Sequence, residues 1–364
     1  MNYKVNGIAF SKEDLETIAL SQIKVNSISR SHLFYIPAKG KNAFLLVRAG
    51  DFIEQEFVDK YTAKGMQSVY ELHVANPSEI EIYDSMLRSL DSVKNEKDRQ
   101  RIGESIAKKF GQDYWQENES SFLTFALTCF DHYYFLDEAA VDKMHKTSMT
   151  LYSRAIIGAA ISVMSCLIHR VVDPYFIKDL YNTVFIMDYG LLDADEFTYT
   201  LSIACETERN NPGQGSTYLE NSKRSDKEKN TFKMHPQISA DYVETQKGKF
   251  FNPEVVDIIK YHHEKADGTG FPNGFSYSVM SDMETFLMFS DYMVPFGEHL
   301  FQKGDGINVI KNAFTVLGDN EQMNSVPVKK IMAKWKSVMD WAIVEIIEEE
   351  ETEENDSVGL VGAA

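Results

Sequence analysis

The sequence predicts a mostly α-helical protein that begins with a small α+β module. Short strand-like runs are confined to the first 75 residues, amphipathic helical patterns follow from about residue 78 to 135, and helices separated by turns continue from 138 to 300. With 364 residues, the chain is long enough for two compact domains. We expect four parts: a small α+β module (1–78), a helical connector (79–137), an all-helical domain (138–340) and an acidic disordered tail (341–364).

The first module is predicted from four short segments. Three of them, HLFYIPA, AFLLVRAG and MQSVYELHV, are typical of strands, whereas DFIEQEFVDKYTAKG has apolar residues at helical spacing and ends in glycine. In the connector, PSEIEIYDSMLRSLDSV and DRQRIGESIAKKFGQDYW are amphipathic. The segment SSFLTFALTCFDHYYFL is mostly apolar, which indicates a buried helix.

Composition excludes several classes of function. The formal net charge of −18 argues against a partner that is a nucleic acid polymer, because contacts to the phosphate backbone require a basic surface. The sequence has no run of about 20 apolar residues, so we expect no membrane span. The N-terminus lacks the pattern of a secretory signal. The three widely spaced cysteines form neither a disulfide framework nor a metal-binding knuckle. We therefore expect a cytoplasmic protein.

Two polar segments are predicted to lie outside the packed core. Residues 207–231 are polar, charged and contain glycine, which is typical of a mobile surface loop between helices. Residues 345–356 carry eight acidic residues and no Lys or Arg. Such a charge run is typical of a solvated, disordered end.

The chemistry is predicted to centre on a histidine pair. Asn252-Pro253-Glu254 is a strong helix start, and we expect that helix to run through His262 and His263 before it breaks at 267–272. Neighbouring side chains on a helix point about 100° apart. On that geometry the two imidazoles serve two adjacent ions, or one ion and one ligand.

The segment HHEKADGTGFPNG resembles the HHExxDGxGYP signature of the HD-GYP family, in which cyclic dinucleotide phosphodiesterases are found. Phe271 stands where the family has Tyr. The resemblance implies a helical HD-type domain in the C-terminal half of the chain. It also implies a ligand-binding loop made by Asp267, Gly268, Gly270, Phe271 and Pro272. The first 75 residues resemble, more weakly, the small module that precedes some HD-GYP domains, for which we expect a regulatory role.

The resemblance extends to three flanking segments. KMHPQISADYV implies that His235 is a metal ligand, and FLMFSDYMVPF implies the same for Asp291. Asp291 interrupts an apolar helix with a capping-box start at 281–284, and the alternative for it is a carboxylate turned to solvent. YNTVFIMDYGL stands where the family has HDIGK. Asp188 remains there as the carboxylate expected to bridge two metals, whereas Met187 replaces the family's His and Leu191 its Lys.

The remaining ligands follow from the same resemblance. The family's first His corresponds to His145, although the stretch from His145 to Asp188 is longer than expected. One ion would then use His145, Asp188 and Asp291. The other would use Asp188, His235 and His262, with His263 close to a phosphate or a metal. Val141 cannot hold a third ion, and His169 is an alternative ligand without a motif. We expect one or two divalent metal ions, with Fe or Mn the best match.

Two functions are consistent with these residues, and they belong to different classes. The first is a metal-binding protein of cyclic di-GMP signalling that binds a cyclic dinucleotide or a signalling protein, with phosphodiesterase activity weak or lost. The alternative is an active phosphodiesterase that uses a metal-activated water, with Asp188 as a catalytic residue. The first is favoured because a thioether is a poor ligand for Fe or Mn and the Lys contact to phosphate is absent. A chance match of the motif on an unrelated helical protein is the third possibility.

Overall fold

The computed structural model describes residues 2–6, 8–37, 42–115, 119–192, 225–264, 268, 270–275, 281–293 and several positions between 331 and 337. The acidic tail, residues 207–224 of the predicted loop, Asp267 and Cys205 lie outside the described residues. Cys129 and Cys166 are buried free thiols.

The N-terminal part is a small α+β unit. A four-stranded antiparallel sheet has the order β3-β8-β5-β6, and the pairs β1-β2 and β4-β7 form two further ribbons. Helix α1 contributes Phe57, Val58 and Tyr61 to the apolar cluster under the sheet. The strands are β1 (Asn2–Val5), β2 (Ile8–Ser11), β3 (Glu16–Ala19), β4 (Ser27–Ile28), β5 (Ser31–Tyr35), β6 (Phe44–Val47), β7 (Phe52–Ile53) and β8 (Ser68–His73), and helix α1 is Gln55–Ala63.

The rest of the described chain is helical, which confirms the mostly α fold class. No strand occurs among the described residues after 73. The helices are α2 (Pro77–Ser92), α3 (Glu96–Trp115), α4 (Glu119–Tyr133), α5 (Glu138–Thr147), α6 (Met149–Ile168), α7 (Pro174–Ile186), α8 (Asp226–Gln246), α9 (Val255–Lys260) and α10 (Asp282–Met293). The predicted capping-box start at 281–284 is confirmed, because Ser281 and Glu284 each accept from the amide of the other. Helix α7 is capped by Asp173, whose side chain accepts from the Phe176 amide at 2.9 Å.

Helix α6 forms the centre of the helical part. Its side chains are buried from Leu151 to Leu167, and it packs against α3, α4, α5, α7 and α10. Within the described part of the chain, only this helix is long and apolar enough to cross a membrane, and 94% of its most apolar window is buried inside the fold. A core helix of a globular protein has the same properties, so α6 is weak evidence for a span.

Two helix boundaries differ from the prediction. Helix α8 begins at Asp226, inside the segment expected to be a loop up to 231, because Ser225 and Glu228 form a capping box at its start. Helix α9 ends at Lys260 rather than continuing through the histidine pair. His262 and His263 therefore lie in the turn that follows α9, and the 100° separation expected of helical neighbours does not apply to them.

The N-terminal unit contacts the helical part directly. The Tyr152 hydroxyl of α6 donates to the Gly50 carbonyl at 2.8 Å, and Arg30 forms an ion pair with Asp131 of α4. His145 of α5 lies 3.7 Å from Asp51, measured from Nε2 to Oδ1. Helices α2 and α5 begin at Pro77 and Glu138, close to the domain boundaries expected at 78 and 137, and that division remains a prediction.

Candidate metal centre

Asp188 lies in the turn that follows α7, and it is 6% exposed. The next glycine, Gly190, brings this turn against α8. Its amide donates to the Ser239 hydroxyl at 2.8 Å, and a methyl group added at Gly190 would come within 2.3 Å of the His235 carbonyl oxygen. Only a residue without a side chain permits this approach, so Gly190 sets the distance between Asp188 and α8.

His235 is oriented by the proline that follows it. Because Pro236 has no N–H, it cannot donate the usual helical hydrogen bond to the carbonyl of Phe232. That carbonyl oxygen instead accepts from His235 Nδ1 at 2.5 Å. A carbonyl oxygen can only accept, so Nδ1 carries the proton and Nε2 presents a lone pair. The same tautomer is typical of histidines that bind metals.

His262 acquires the same tautomer from a helix end. The last carbonyls of a helix have no partner within the helix, and the Ile259 carbonyl near the end of α9 accepts from His262 Nδ1 at 2.6 Å. The Nε2 atom of His262 then faces that of His235 at 3.4 Å. Two neutral imidazoles with these tautomers have no proton to share between their Nε2 atoms. A cation between the two Nε2 atoms, either a proton or a metal ion, would relieve the repulsion between the facing lone pairs.

The geometry of three donor atoms matches a metal site. His235 Nε2 lies 3.5 Å from Asp188 Oδ1, and His262 Nε2 lies 4.0 Å from the same oxygen. With the 3.4 Å between the imidazoles, the circle through the three atoms has a radius of about 2.1 Å, within the range of about 2.0–2.2 Å for nitrogen and oxygen ligands of zinc. Including His263, the four residues offer ligand atoms within 4.8 Å of one another.

The loop after the histidine pair folds back onto it. Glu264 is buried, and its two carboxylate oxygens accept from the amides of Asn273 at 2.6 Å and Phe275 at 2.8 Å. This closure brings the Phe271 ring onto His263, with centroids 4.5 Å apart and planes inclined by 23°. Of the predicted ligand-binding loop, Gly268, Gly270, Phe271 and Pro272 are described, and Phe271 is buried as a wall of the site.

Sequence reasoning missed Arg154. This residue lies in α6 and is 1% exposed, and its guanidinium forms ion pairs with both Asp188 Oδ2 and Asp291 Oδ1. Its Nη2 also donates to the Asp291 main-chain carbonyl at 3.0 Å. The available signal was a single charged residue within an otherwise apolar helix, since a buried charge is costly unless it is paired.

Burial and charge set the protonation of the site. Burial, reinforced by the neighbouring His235, lowers the pKa of His262 to about 4, so this imidazole is neutral at neutral pH. Burial alone would raise the pKa of Asp188. The positive charge of Arg154 opposes that effect most strongly, and the Asp188 pKa lies below its usual value. A neutral imidazole and an ionised carboxylate are the forms that bind metals.

The other candidate residues have different surroundings. His145 lies against Asp51 and its ring packs edge-on against Tyr152, so the structure does not bring it to the four-residue cluster. Arg154, and not His145, contacts Asp188 and Asp291, so His145 is not among the donors of this cluster. His169 packs against Phe286 at the end of α6.

The apolar substitutions of the motif lie in the core. Met187, Leu191 and Val141 are at most 1% exposed and belong to the main hydrophobic cluster, which includes residues of α6 and α7. None of the three side chains offers a hard ligand or a cation. Within the described residues, metal-ligating chemistry is therefore concentrated in the histidine and aspartate cluster.

The fold and the cluster define a mostly α-helical protein whose core carries residues able to bind a metal ion. No protein-family model matches the chain, and no curated protein matches it. A solved structure, that of Bd1817, an HDG"Y"P protein from Bdellovibrio bacteriovorus, aligns with 90% of this chain and 100% of its own length. The sequence identity is 17% and the TM-score 0.37. A likeness of this size is too weak to assign a function, and the chemistry of the site rests on this chain's own residues.

Proposed function

We propose that this protein binds at least one divalent metal ion through His235, His262 and Asp188, with His263 beside it. The observation that carries the proposal is the arrangement of the three donor atoms, whose separations of 3.4, 3.5 and 4.0 Å leave room for one ion at ligand distance. Two imidazole nitrogens and a carboxylate oxygen suit Fe or Mn. A bound ion would supply a positive charge able to hold a phosphate oxygen.

We further propose a cyclic dinucleotide such as cyclic di-GMP as the ligand, with hydrolysis weak or absent. The choice of ligand rests on the resemblance of residues 262–272 to the HD-GYP signature. The loss of activity rests on Met187 and Leu191, because both side chains are buried in the apolar core and supply neither an imidazole nor a cation. Contacts that bind substrate and transition state equally give affinity without turnover.

Metal binding is tested first, by elemental analysis of protein purified without an affinity-tag metal and reloaded with Fe²⁺ or Mn²⁺. His235→Ala and His262→Ala should each weaken metal binding by at least about 10–100-fold, the range found for residues that merely support ligands. His73→Ala is the control, since His73 is a partly exposed histidine of the N-terminal sheet. Equal metal content in all four proteins would refute the proposed site.

Nucleotide binding and turnover are tested separately on the metal-loaded protein. Calorimetry with cyclic di-GMP should give binding that His262→Ala removes. Chromatography of the same mixture should give little or no product. Turnover at an ordinary enzymatic rate, about 1 per second or faster, would establish the alternative of an active phosphodiesterase. Absence of binding to the loaded protein would refute the ligand and leave the metal site standing.

A further inference from the structure

The two carboxylate oxygens of Asp188 face different groups. Oδ1 is directed at the Nε2 atoms of His235 and His262, whereas Oδ2 is paired with the guanidinium of Arg154. The same guanidinium pairs with Asp291, the carboxylate that the sequence assigned to a second metal ion. With an ion bound by the two histidines, Asp188 would bridge two positive centres, the ion and the Arg154 guanidinium.

We infer that Arg154 occupies the place of a second metal ion, so that the centre holds one ion only; the inference rests on the proposed metal site. The guanidinium satisfies Asp188 and Asp291 together, and it also donates to the Asp291 main-chain carbonyl. Its planar fork of donors is suited to such carboxylate pairs. A divalent ion between the two carboxylates would have to displace a cation that is permanently charged.

Burial makes the exchange of Arg154 for a metal ion unfavourable. Arg154 is 1% exposed and lies in α6, whose side chains are buried from Leu151 to Leu167. If the guanidinium left its two carboxylates, it would remain in the core without them, and a buried charge that loses its counter-charges is strongly destabilising. The second position is therefore closed to metal ions.

A single ion has a consequence for chemistry. Two-metal hydrolysis requires ions about 3.5–4 Å apart that stabilise the attacking and the leaving oxygens. With a guanidinium at the second position, no pair of ions can hold a nucleophile between them. Arg154 thus accounts for weak or absent hydrolysis independently of Met187 and Leu191.

The test measures how many Mn²⁺ ions the full chain binds, by calorimetry and by electron paramagnetic resonance. The wild type should bind one ion per chain and give the spectrum of an isolated Mn²⁺. Arg154→Lys keeps the cation and should also bind one ion. Arg154→Ala opens the position between the carboxylates and should bind two ions, seen as a coupled pair. Arg101→Ala removes an exposed arginine of α3 and should behave like the wild type.

The outcomes separate the two proposals. No ion in the wild type would refute the metal site itself. Two ions in the wild type, or a coupled-pair spectrum, would overturn the role of Arg154 and leave the metal site intact. One ion in a folded Arg154→Ala protein would also overturn it. If Arg154→Ala does not fold, the wild-type spectrum and the ion count of Asp291→Asn test the role of Arg154. We expect Asp291→Asn to bind one ion. Loss of that ion would show that Asp291 is a ligand and overturn the role of Arg154.

Discussion

Gly190 is the position at which we expect one added methyl group to disturb the site. In Gly190→Ala, the new Cβ would lie 2.3 Å from the His235 carbonyl oxygen, and 2.9 Å from both His235 Cα and Ile238 Cβ. Two of these three atoms belong to the backbone of α8, so they cannot be relieved by a rotamer change. Either the turn that carries Asp188 or the helix that carries His235 must move.

The magnitude depends on packing and on chain entropy. Overpacking of this kind costs about 1–3 kcal/mol, and displacement of the turn also weakens the 2.8 Å hydrogen bond from the Gly190 amide to Ser239. The lower entropy of the unfolded chain with alanine offsets about 0.4–1 kcal/mol. We expect a net loss of about 1–2 kcal/mol in the free energy of unfolding. Because Asp188 and His235 move apart, metal affinity should fall by about 10–100-fold.

The assay is urea unfolding of the metal-free protein, followed by metal titration of the folded state. Gly248→Ala is the matched control, since nothing lies within 4 Å of a Cβ at that position. The control lacks the steric clash and should raise the free energy of unfolding by up to about 1 kcal/mol, the effect of alanine on the entropy of the unfolded chain. If Gly190→Ala is as stable as this control and binds metal with wild-type affinity, the close approach of turn and helix does not govern the site.

Three further predictions concern Arg154, Glu264 and His32. Arg154→Ala should lower the free energy of unfolding of the metal-free protein by about 3–5 kcal/mol, because two buried carboxylates lose their counter-charge. Urea unfolding measures this loss, and a change below about 1 kcal/mol would contradict the prediction. Glu264→Gln should lower the free energy of unfolding by about 1–3 kcal/mol, because the glutamine side chain offers one acceptor oxygen to the two main-chain N–H groups that the carboxylate binds. Hydrogen exchange should then be faster at 270–275. Unchanged exchange there would count against the role of Glu264. Burial, with a smaller effect of Arg48, lowers the pKa of His32 to about 4 from an ordinary value of 6.5. Between these values the unfolded chain binds more protons, so stability falls as pH drops from 6.5 towards 4. His32 Nδ1 accepts from the Ala49 amide at 3.0 Å, and His32→Asn keeps an acceptor that does not titrate. Between pH 7 and 5 the free energy of unfolding should fall by up to about 2 kcal/mol less in this variant than in the wild type. Equal losses in urea unfolding would show that His32 does not cause this pH dependence.

Local patterns predicted much of the fold. The helix start at Ser281 depends on capping chemistry that acts within one turn, and the predicted strands of the module appear as β5, β6 and β8. The strands β1 to β3 were not predicted, because each has only four residues of mixed polarity and pairs through contacts beyond a local window. Short strands are specified by their partners more than by their own residues.

Part of the candidate site could be predicted because its residues belong to short sequence motifs. His235, His262 and Asp188 were found through motifs, each of which is local. Arg154 was not, because its role depends on two carboxylates that lie 34 and 137 residues further along the chain. The assumption that His262 continues α9 also failed, since three to four turns of periodicity are needed to locate a helix end and α9 has only six residues.

At the proposed metal site, Pro236 sets the stability of α8 against the orientation of a ligand. An interior proline weakens an α-helix by about 3 kcal/mol, so replacing Pro236 is an obvious step for anyone who wishes to make this protein more heat-resistant. The new residue would donate its N–H to the Phe232 carbonyl and compete with the His235 ring for that oxygen. The imidazole would then be free to rotate or to change tautomer. A more stable helix would come with a less ordered ligand, and screens for thermostability alone would select against the site.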